Sequence, residues 1–313
     1  MALVSIVIPT FNSAPYLAET IESILSQSFN NFELILVDDC STDQSPEIIN
    51  KFNDSRIRHI RLNKNHGGPS KPRNMGINQA NGDYIALFDS DDIMLPNKLE
   101  RSVAMLDRFP EISVVFSDCF RFSNNGTILP NTLLQGYSGL RNLLTESVEK
   151  HFHILSPLDA YRNLFRENYI PTSSVMMRKE VFKNVGLFDE ELVNGDDRDM
   201  WFRLSNLYSF GFIDIPLHKY RVRTGSVSSR GIMTHQNRIK VLKKQLALDL
   251  PTSLEKLAKE LISSNYFSIG YAYRGQGNMP KARKYYVKST RYHFSIYPII
   301  GYLRTFLTMR KVQ

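Results

Sequence analysis

Tyr84–Asp92 reads YIALFDSDD, a short apolar run that ends abruptly in three aspartates within four positions. Tyr84, Ile85, Ala86, Leu87 and Phe88 are mostly β-formers and read as a buried strand. The acids then stand at its C-terminal end, the edge at which open α/β sheets bind ligands. Carboxylates this close repel and raise one another's pKa, so a cluster kept ionised beside a buried strand calls for a cation. Taken alone, the same residues serve equally well as a solvated acidic turn capping the helix that follows Pro96. The neighbouring sequence decides between the two.

Working outward, the first half alternates apolar runs with helical patterns, the signature of βαβ units. Val4–Pro9 reads as a first strand, with a loop at Phe11–Ala14 and a helix presenting Leu17, Ile21, Ile24, Leu25 and Ser28 on one face. Phe32–Val37 is a second strand, ending in Asp38 and Asp39, and Ile57–Leu62 is a third, placed at an edge. Ser70–Ala80 follows as a helix with Pro72 in its first turn, and Asn81-Gly82 turns the chain into YIALF. Leu99, Val103 and Leu106 align on the helix after Pro96, and Ile112–Ser117 is a further strand. Pro9-Thr10, Asp38-Asp39 and Asp89–Asp92 thus terminate separate apolar strands. If those strands are parallel, the three ends share one crevice.

Further along, Asn124–Glu149 reads as loops, Tyr169–Met177 as a strand and Lys179–Val185 as a short helix ending at Gly186. Gly195–Leu207 is helical, with Asp196, Asp197 and Asp199 in its first turn, where the helix dipole alone would favour them. Phe212–Tyr220 returns as a strand, and Gln236–Leu250 is a basic amphipathic helix. No GxGxxG follows the first strand, and Gly67-Gly68 stands alone, so neither a dinucleotide fingerprint nor a phosphate-cradling glycine loop is present.

The 313 residues are 42% hydrophobic and 22% charged, an ordinary globular composition with room for one large core or two domains. Two cysteines, Cys40 and Cys119, are too few for a disulfide framework and lack zinc spacing, which suits a reducing compartment. Met1–Thr10 has no basic start and no small-residue cleavage site, and no apolar stretch reaches the ~18 residues of a transmembrane helix. The expected location is the cytoplasm.

The net charge of +8 is unevenly placed. Residues 1–250 carry 28 Lys and Arg against 29 Asp and Glu, whereas 251–313 carry 11 against 2. Such a tail suggests an anionic partner, and the neutral bulk argues against a nucleic-acid-binding face.

Taken in order, VSIVIPTFN, ILSQSFNNFELILVDDCSTD, RNMGINQANGDYIALFDSDD, GLFDEEL, NGDDRDMWFRL and YRVRTGSVS resemble the motifs of the family 2 glycosyltransferases over Val4–Ser229. The resemblance implies a GT-A fold, a Rossmann-like mixed α/β sheet flanked by helices, over residues 1–235, with 236–313 as a C-terminal helical extension. It implies an inverting, non-processive hexosyl- or N-acetylhexosaminyl-transferase, since the QxxRW element of processive synthases is absent. Pro9, Thr10 and Asn12 would line the nucleotide pocket, and Asp39 would accept a hydrogen bond from the base. An ionised carboxylate only accepts, which suits the imide N–H of uracil first and of thymine second. By the same resemblance Arg73 would add positive charge near the nucleotide, Asp89 would face the ribose or metal, and Asp91 would hold Mg2+ or Mn2+ on the diphosphate. Asp92 either joins them or caps the next turn. Asp197 would be the catalytic base, beside Asp196. Arg223 stands where many relatives carry a metal-binding histidine, so it would contact the diphosphate instead.

In the extension, Asn265–Ser289 resembles one tetratricopeptide-like hairpin, and Tyr297–Met309 forms an apolar helix beside Arg304, Arg310 and Lys311. That pattern suits an interfacial helix on anionic lipid, and hence a peripheral protein at the inner membrane face with a glycan or glycolipid acceptor. Two rivals are a sugar-phosphate nucleotidyltransferase and a catalytically silent scaffold. Thr10–Ala14 offers the first no basic glycine loop, and the retained acids at Asp39, Asp89, Asp91 and Asp197 argue against the second.

Overall fold

The computed structural model describes residues 2–144, 147–223 and 231–307, and its chain divides into two compact units, 1–223 and 224–313. In the first unit, β1 (Val4–Thr10), β2 (Phe32–Asp38), β3 (Ile57–Arg61) and β4 (Tyr84–Leu87) are parallel neighbours in the order β3-β2-β1-β4. Helices α1 (Ala14–Leu25), α2 (Ser45–Asn50) and α3 (Ser70–Gln79) form the crossovers. The strands are apolar on both faces because helices cover them: Ile6, Ile8, Leu34, Leu36 and Ala86 share a core cluster with Leu17, Ile21 and Ile24 of α1. α3 lies close because Gly76 faces β1, where a Cβ would come within 2.4 Å of Val7 Cγ1. Ser28 lies beyond the end of α1 and is exposed, so the apolar face stops a turn earlier than its spacing suggests.

The second half of the sheet is mixed. After β5 (Ile93–Met94) and α4 (Lys98–Arg108) come β6 (Ile112–Ser123) and β7 (Ile128–Thr132), then the short α5 (Ser138–Arg141), β8 (Phe152–Leu155) and α6 (Pro157–Leu164). β9 (Met176–Arg178), α7 (Val181–Val185), α8 (Asp196–Ser205) and β10 (Ser209–Val222) complete the unit. β9 runs antiparallel between β4 and β6, and β10 is parallel to β6 but antiparallel to β5 and β8. Two expectations change here. Asn124–Glu149 is not all loop, since β7 pairs with β6, although Thr145 and Glu146 lie outside the described residues. Tyr169–Met177 is not one strand, because a 3-10 turn at Thr172–Ser174 delays extension to Met176. Pro171 supplies the break, and Ser174 Oγ donates back to Pro171 O at 2.6 Å.

In the second unit, α9 (Ile232–Leu246) precedes the long pair α10 (Thr252–Gly275) and α11 (Met279–Tyr292), followed by α12 (Ile296–Leu307). This unit begins ahead of the division after residue 235 read from the sequence. Gly277, at φ +74°, makes the turn between α10 and α11, and Tyr266 and Tyr273 of α10 meet Tyr285 of α11. Met309, Arg310 and Lys311 lie outside the described residues, as does the TGSVS portion of YRVRTGSVS. Cys40 and Cys119 are both free, and no described helix is long and apolar enough to cross a membrane.

Candidate active site

Register brings the strand ends together. Pro9 pairs with Val37 and Thr10 with Asp38, while β4 aligns Leu87 with Val7, so all three acidic or polar termini emerge on one edge. At the β1 end, Thr10 is buried and its hydroxyl has no hydrogen-bond partner. Asn12, at φ +48°, is exposed and accepts from Thr42 N–H at 2.9 Å, so its side chain ties the loop after β1 to the loop after β2. At the β2 end, Asp39 is buried, and its N–H donates to Thr10 O at 2.8 Å. Both its carboxylate oxygens face His66: Oδ2 accepts from the His66 N–H at 2.8 Å and Oδ1 lies 2.7 Å from Nδ1. The sequence reading missed His66. Its signal was the Asn65-His66-Gly67 turn, where Asn65 Oδ1 accepts from Gly67 N–H and Gly67 takes φ +82°.

The β4 end is built by arginines. Arg73, reached from the first turn of α3, is buried, and its two Nη atoms reach different elements: Nη1 donates to Asp196 Oδ2 at 2.7 Å and Nη2 to Asp89 Oδ1 at 3.2 Å. Its guanidinium also lies over the Phe188 ring, 4.9 Å from the centroid. Arg73 is therefore the clamp between the strand-end cluster and α8. Asp91 Oδ2 lies 2.6 Å from Arg223 Nε, a close ion pair without hydrogen-bond alignment. Asp92 is buried with Oδ1 accepting from the Arg221 N–H at 2.9 Å, which spends it on anchoring β10. Arg221 also donates through Nε to Asp91 O at 2.7 Å and through Nη2 to Glu19 Oε2 at 2.6 Å. Ser173 Oγ accepts from the Asp89 N–H at 3.1 Å, and beneath it Lys98, fully buried on α4, donates to Ser174 O at 3.3 Å. Ser13 and Ser90 hydroxyls, 2.6 Å apart, join the β1 loop to this turn.

Burial dominates the electrostatics here. Desolvation pushes Asp92 well above the usual carboxylate range, reinforced by the charges of Asp91 and Asp89. Asp89 is raised for the same first reason, against the pull of Arg73; its side chain is 36% exposed, so the push is weaker than on enclosed Asp92. Desolvation carries Asp196 up to about 6 although Arg73 opposes it. Lys98, desolvated by its full burial, falls to about 7.

α8 starts after Gly195, at φ +81°, and its three acids separate by role. Asp196 faces Arg73, whereas Asp199 pairs with Arg203 one turn on, at 3.0 Å. Asp197 is half-buried: Oδ2 accepts from Asn168 Nδ2 at 2.9 Å and Oδ1 from the Arg198 N–H at 2.7 Å. Its charge acts on Asp89, so the helix acid and the strand-end acid share one field. Asn168, another residue the sequence reading missed, carries no motif and is found only through space.

Among the described residues, no three His, Cys, Asp or Glu side chains are grouped to hold a metal ion. Asp91 nevertheless fits Mg2+ or Mn2+, which take one or two carboxylates, waters and substrate phosphates and need no all-protein cage. The Arg223 guanidinium against its Oδ2 marks a position that attracts positive charge.

The glycosyl transferase family 2 model matches residues 5–186. An uncharacterised glycosyltransferase of Methanocaldococcus jannaschii is 32% identical over 225 residues, covering 70% of this chain and 71% of that one. The poly(ribitol-phosphate) beta-N-acetylglucosaminyltransferase TarS of Staphylococcus aureus is 31% identical over 184 residues, 57% of this chain and 31% of TarS, so the chain spans under a third of that relative. The crystal structure of TarS 1-349 with UDP-GlcNAc superposes with a TM-score of 0.67 at 21% identity, covering 100% of this chain and 93% of that one. The mannosyltransferase PcManGT from Pyrobaculum calidifontis, solved with GDP-Man and Mn2+, superposes at 0.59 and 16% identity, covering 96% and 86%. Those superpositions establish the fold as GT-A. With the family model covering more than half of its length, the chain belongs to glycosyl transferase family 2.

Proposed function

We propose that this chain moves a single sugar from a nucleotide-sugar, first among them a UDP-sugar, to a glycan or lipid-linked acceptor in cell-surface polysaccharide synthesis. The observation that carries the reading is the Arg73 clamp, which unites Asp89 at the β4 end with Asp196 beside Asp197 on α8. Strand-end acids alone can hold a leaving group; a transferase also needs a carboxylate that takes the acceptor proton, and the clamp brings one from another element.

Asp39 would read the base, held by His66 with lone pairs still open to a donor, and the unpartnered Thr10 hydroxyl would serve the same pocket with Pro9 and Asn12. Asp91 would hold Mg2+ or Mn2+ with the diphosphate oxygens; when bound, the ion supplies Lewis-acid neutralisation of the leaving group. Asp89 and Arg73 would orient the donor, and Arg223 would meet the diphosphate. Asp197 would accept the proton of the acceptor hydroxyl as its oxygen attacks the anomeric carbon. The diphosphate leaves from the opposite face, which inverts the configuration. TarS is by its name an N-acetylglucosaminyltransferase and was solved with UDP-GlcNAc, which makes UDP-GlcNAc the first donor to try. Asp197→Asn should retain donor affinity within about twofold and lose transfer by about 10²–10⁴; normal turnover would remove Asp197 as the base.

Attachment to an anionic membrane belongs to the same reading and rests on the second unit. α12 buries its small residues, Pro298, Gly301 and Thr305, and exposes Ile296, Tyr297, Ile300, Leu303 and Phe306. Gly301 permits this because a Cβ there would stand 2.7 Å from the Tyr286 ring. Lys284, Lys288 and Arg291 of α11 line a cavity of about 390 Å³ with Tyr302, so the apolar face has basic neighbours that suit anionic headgroups. Leu303→Asp in the full chain should cut sedimentation with phosphatidylglycerol vesicles; unchanged sedimentation would exclude this face as the anchor.

A further inference from the structure

Arg223 and Arg221 lie two residues apart near the end of β10, so their side chains leave the same face of the strand. Both guanidinium groups lie over the Tyr16 ring, at 4.7 Å for Arg221 and 5.5 Å for Arg223. Their attachments differ sharply. Arg221 has a 5% exposed side chain, directed bonds to Asp91 O and Glu19, and a second ring contact, with Phe122 at 4.3 Å. Arg223 is 34% exposed and holds Asp91 by charge and proximity, its Nε 2.6 Å from Oδ2 without the alignment of a hydrogen bond. One arginine is structure. The other is a cation parked on a carboxylate that a stronger cation or a nearby anion can separate.

From this arrangement we infer that Arg223 is a resident competitor for the cation position at Asp91: it occupies that position in the nucleotide-free enzyme, excludes a free divalent ion, and yields it when a donor diphosphate draws the guanidinium away. The inference rests on the reading of Asp91 as the metal-holding residue. Its consequence is an order of assembly. A divalent ion alone must displace a guanidinium from Asp91 and then share the space with it, whereas a nucleoside diphosphate offers Arg223 a second anion and brings its own oxygens to the ion. Ion and nucleotide therefore bind with positive coupling, part of which is stored in the Arg223–Asp91 contact.

The size of the effect follows from occupancy. If the contact is made 80–90% of the time in the free enzyme, it weakens apparent ion affinity by about five- to tenfold. Electron paramagnetic resonance of free Mn2+, titrated into the full chain with and without saturating UDP, reads this directly and needs no turnover. Arg223→Gln should tighten Mn2+ binding to the nucleotide-free protein by about five- to tenfold and leave it within twofold when UDP is present, lowering the coupling by the same factor. Arg223→Met, which removes the charge but keeps a long side chain, should behave alike. Equal tightening with and without UDP would mean that Arg223 acts only through its long-range field and would overturn the inference, as would no tightening in the free protein. Asp91→Asn is the separate check on the reading beneath it: Mn2+ binding with UDP that survives this substitution would remove Asp91 as the metal residue, whatever Arg223 does.

Discussion

The ends of β2 and β4, parallel strands on either side of β1, carry the same residue type, yet they are held in opposite ways. Asp39 is fixed by a neutral-capable partner, His66, through one backbone and one ring nitrogen. Asp89 and Asp91 face the guanidinium groups of Arg73 and Arg223, Asp92 accepts from the backbone N–H of Arg221, and their surroundings push Asp89 and Asp92 toward protonation. A carboxylate aimed by a histidine keeps lone pairs open to a donor, which suits a base edge. Carboxylates paired with arginines, as Asp89 and Asp91 are, hold charge that a cation and phosphates can redistribute. On the proposed function, one crevice reads the nucleoside at the β2 end and manages the diphosphate at the β4 end, with β1 between them.

The largest effect should come from the β4 end. Arg73→Gln leaves Asp196 enclosed without its cation and should cost about 3–5 kcal/mol of unfolding free energy, as breaking a buried pair from one side does. Chemical denaturation measures it, and a cost below 1 kcal/mol would mean that the clamp is dispensable. Next is the lysine beneath the Asp89 turn. Lys98 has a folded-state pKa near 7 against an ordinary 10.5, so the unfolded chain binds the extra proton between those values. Stability should therefore rise from about pH 7 toward pH 10 and sit on its low plateau below 7. Lys98→Met should flatten that slope, gaining on the order of a few kcal/mol over the parent at pH 7 and little at pH 10; parallel pH profiles would show that Lys98 is solvated. The smallest effect belongs to the β2 end, where His66→Ala should weaken UDP binding by about fivefold, the worth of one oriented hydrogen bond, without changing Mn2+ affinity. A loss of Mn2+ affinity would erase the distinction between the two ends.

Much of the first unit was legible because its strands are buried on both faces and read as unbroken apolar runs. Val4–Pro9, Phe32–Val37 and Tyr84–Phe88 each match a strand to within a residue. Tyr169–Met177 misled for the same reason: it is as apolar as a strand, and only the Pro171 turn, held by the Ser174 hydroxyl, keeps its first half out of the sheet. The acids announced themselves by number, whereas their holders did not. Arg73 was expected near the nucleotide, but its partner stayed hidden until the fold placed Asp196, more than a hundred positions away, against it. Asn168 and Ser173 carry no pattern at all, and His66 only the Asn65-His66-Gly67 turn; all three are defined by long-range hydrogen bonds. Asp92 shows the converse, a residue of the conspicuous cluster that the fold spends on anchoring β10.

The central claim is that the β4 end manages a diphosphate through a cation at Asp91 while the β2 end reads the base. Calorimetric titration of UDP-GlcNAc into the full chain, with Mn2+ and with chelator, tests it most directly when the parent is compared with Asp91→Asn. The account predicts that Mn2+ tightens donor binding to the parent by about tenfold or more and leaves binding to Asp91→Asn unchanged. An equal Mn2+ effect on both proteins would contradict it.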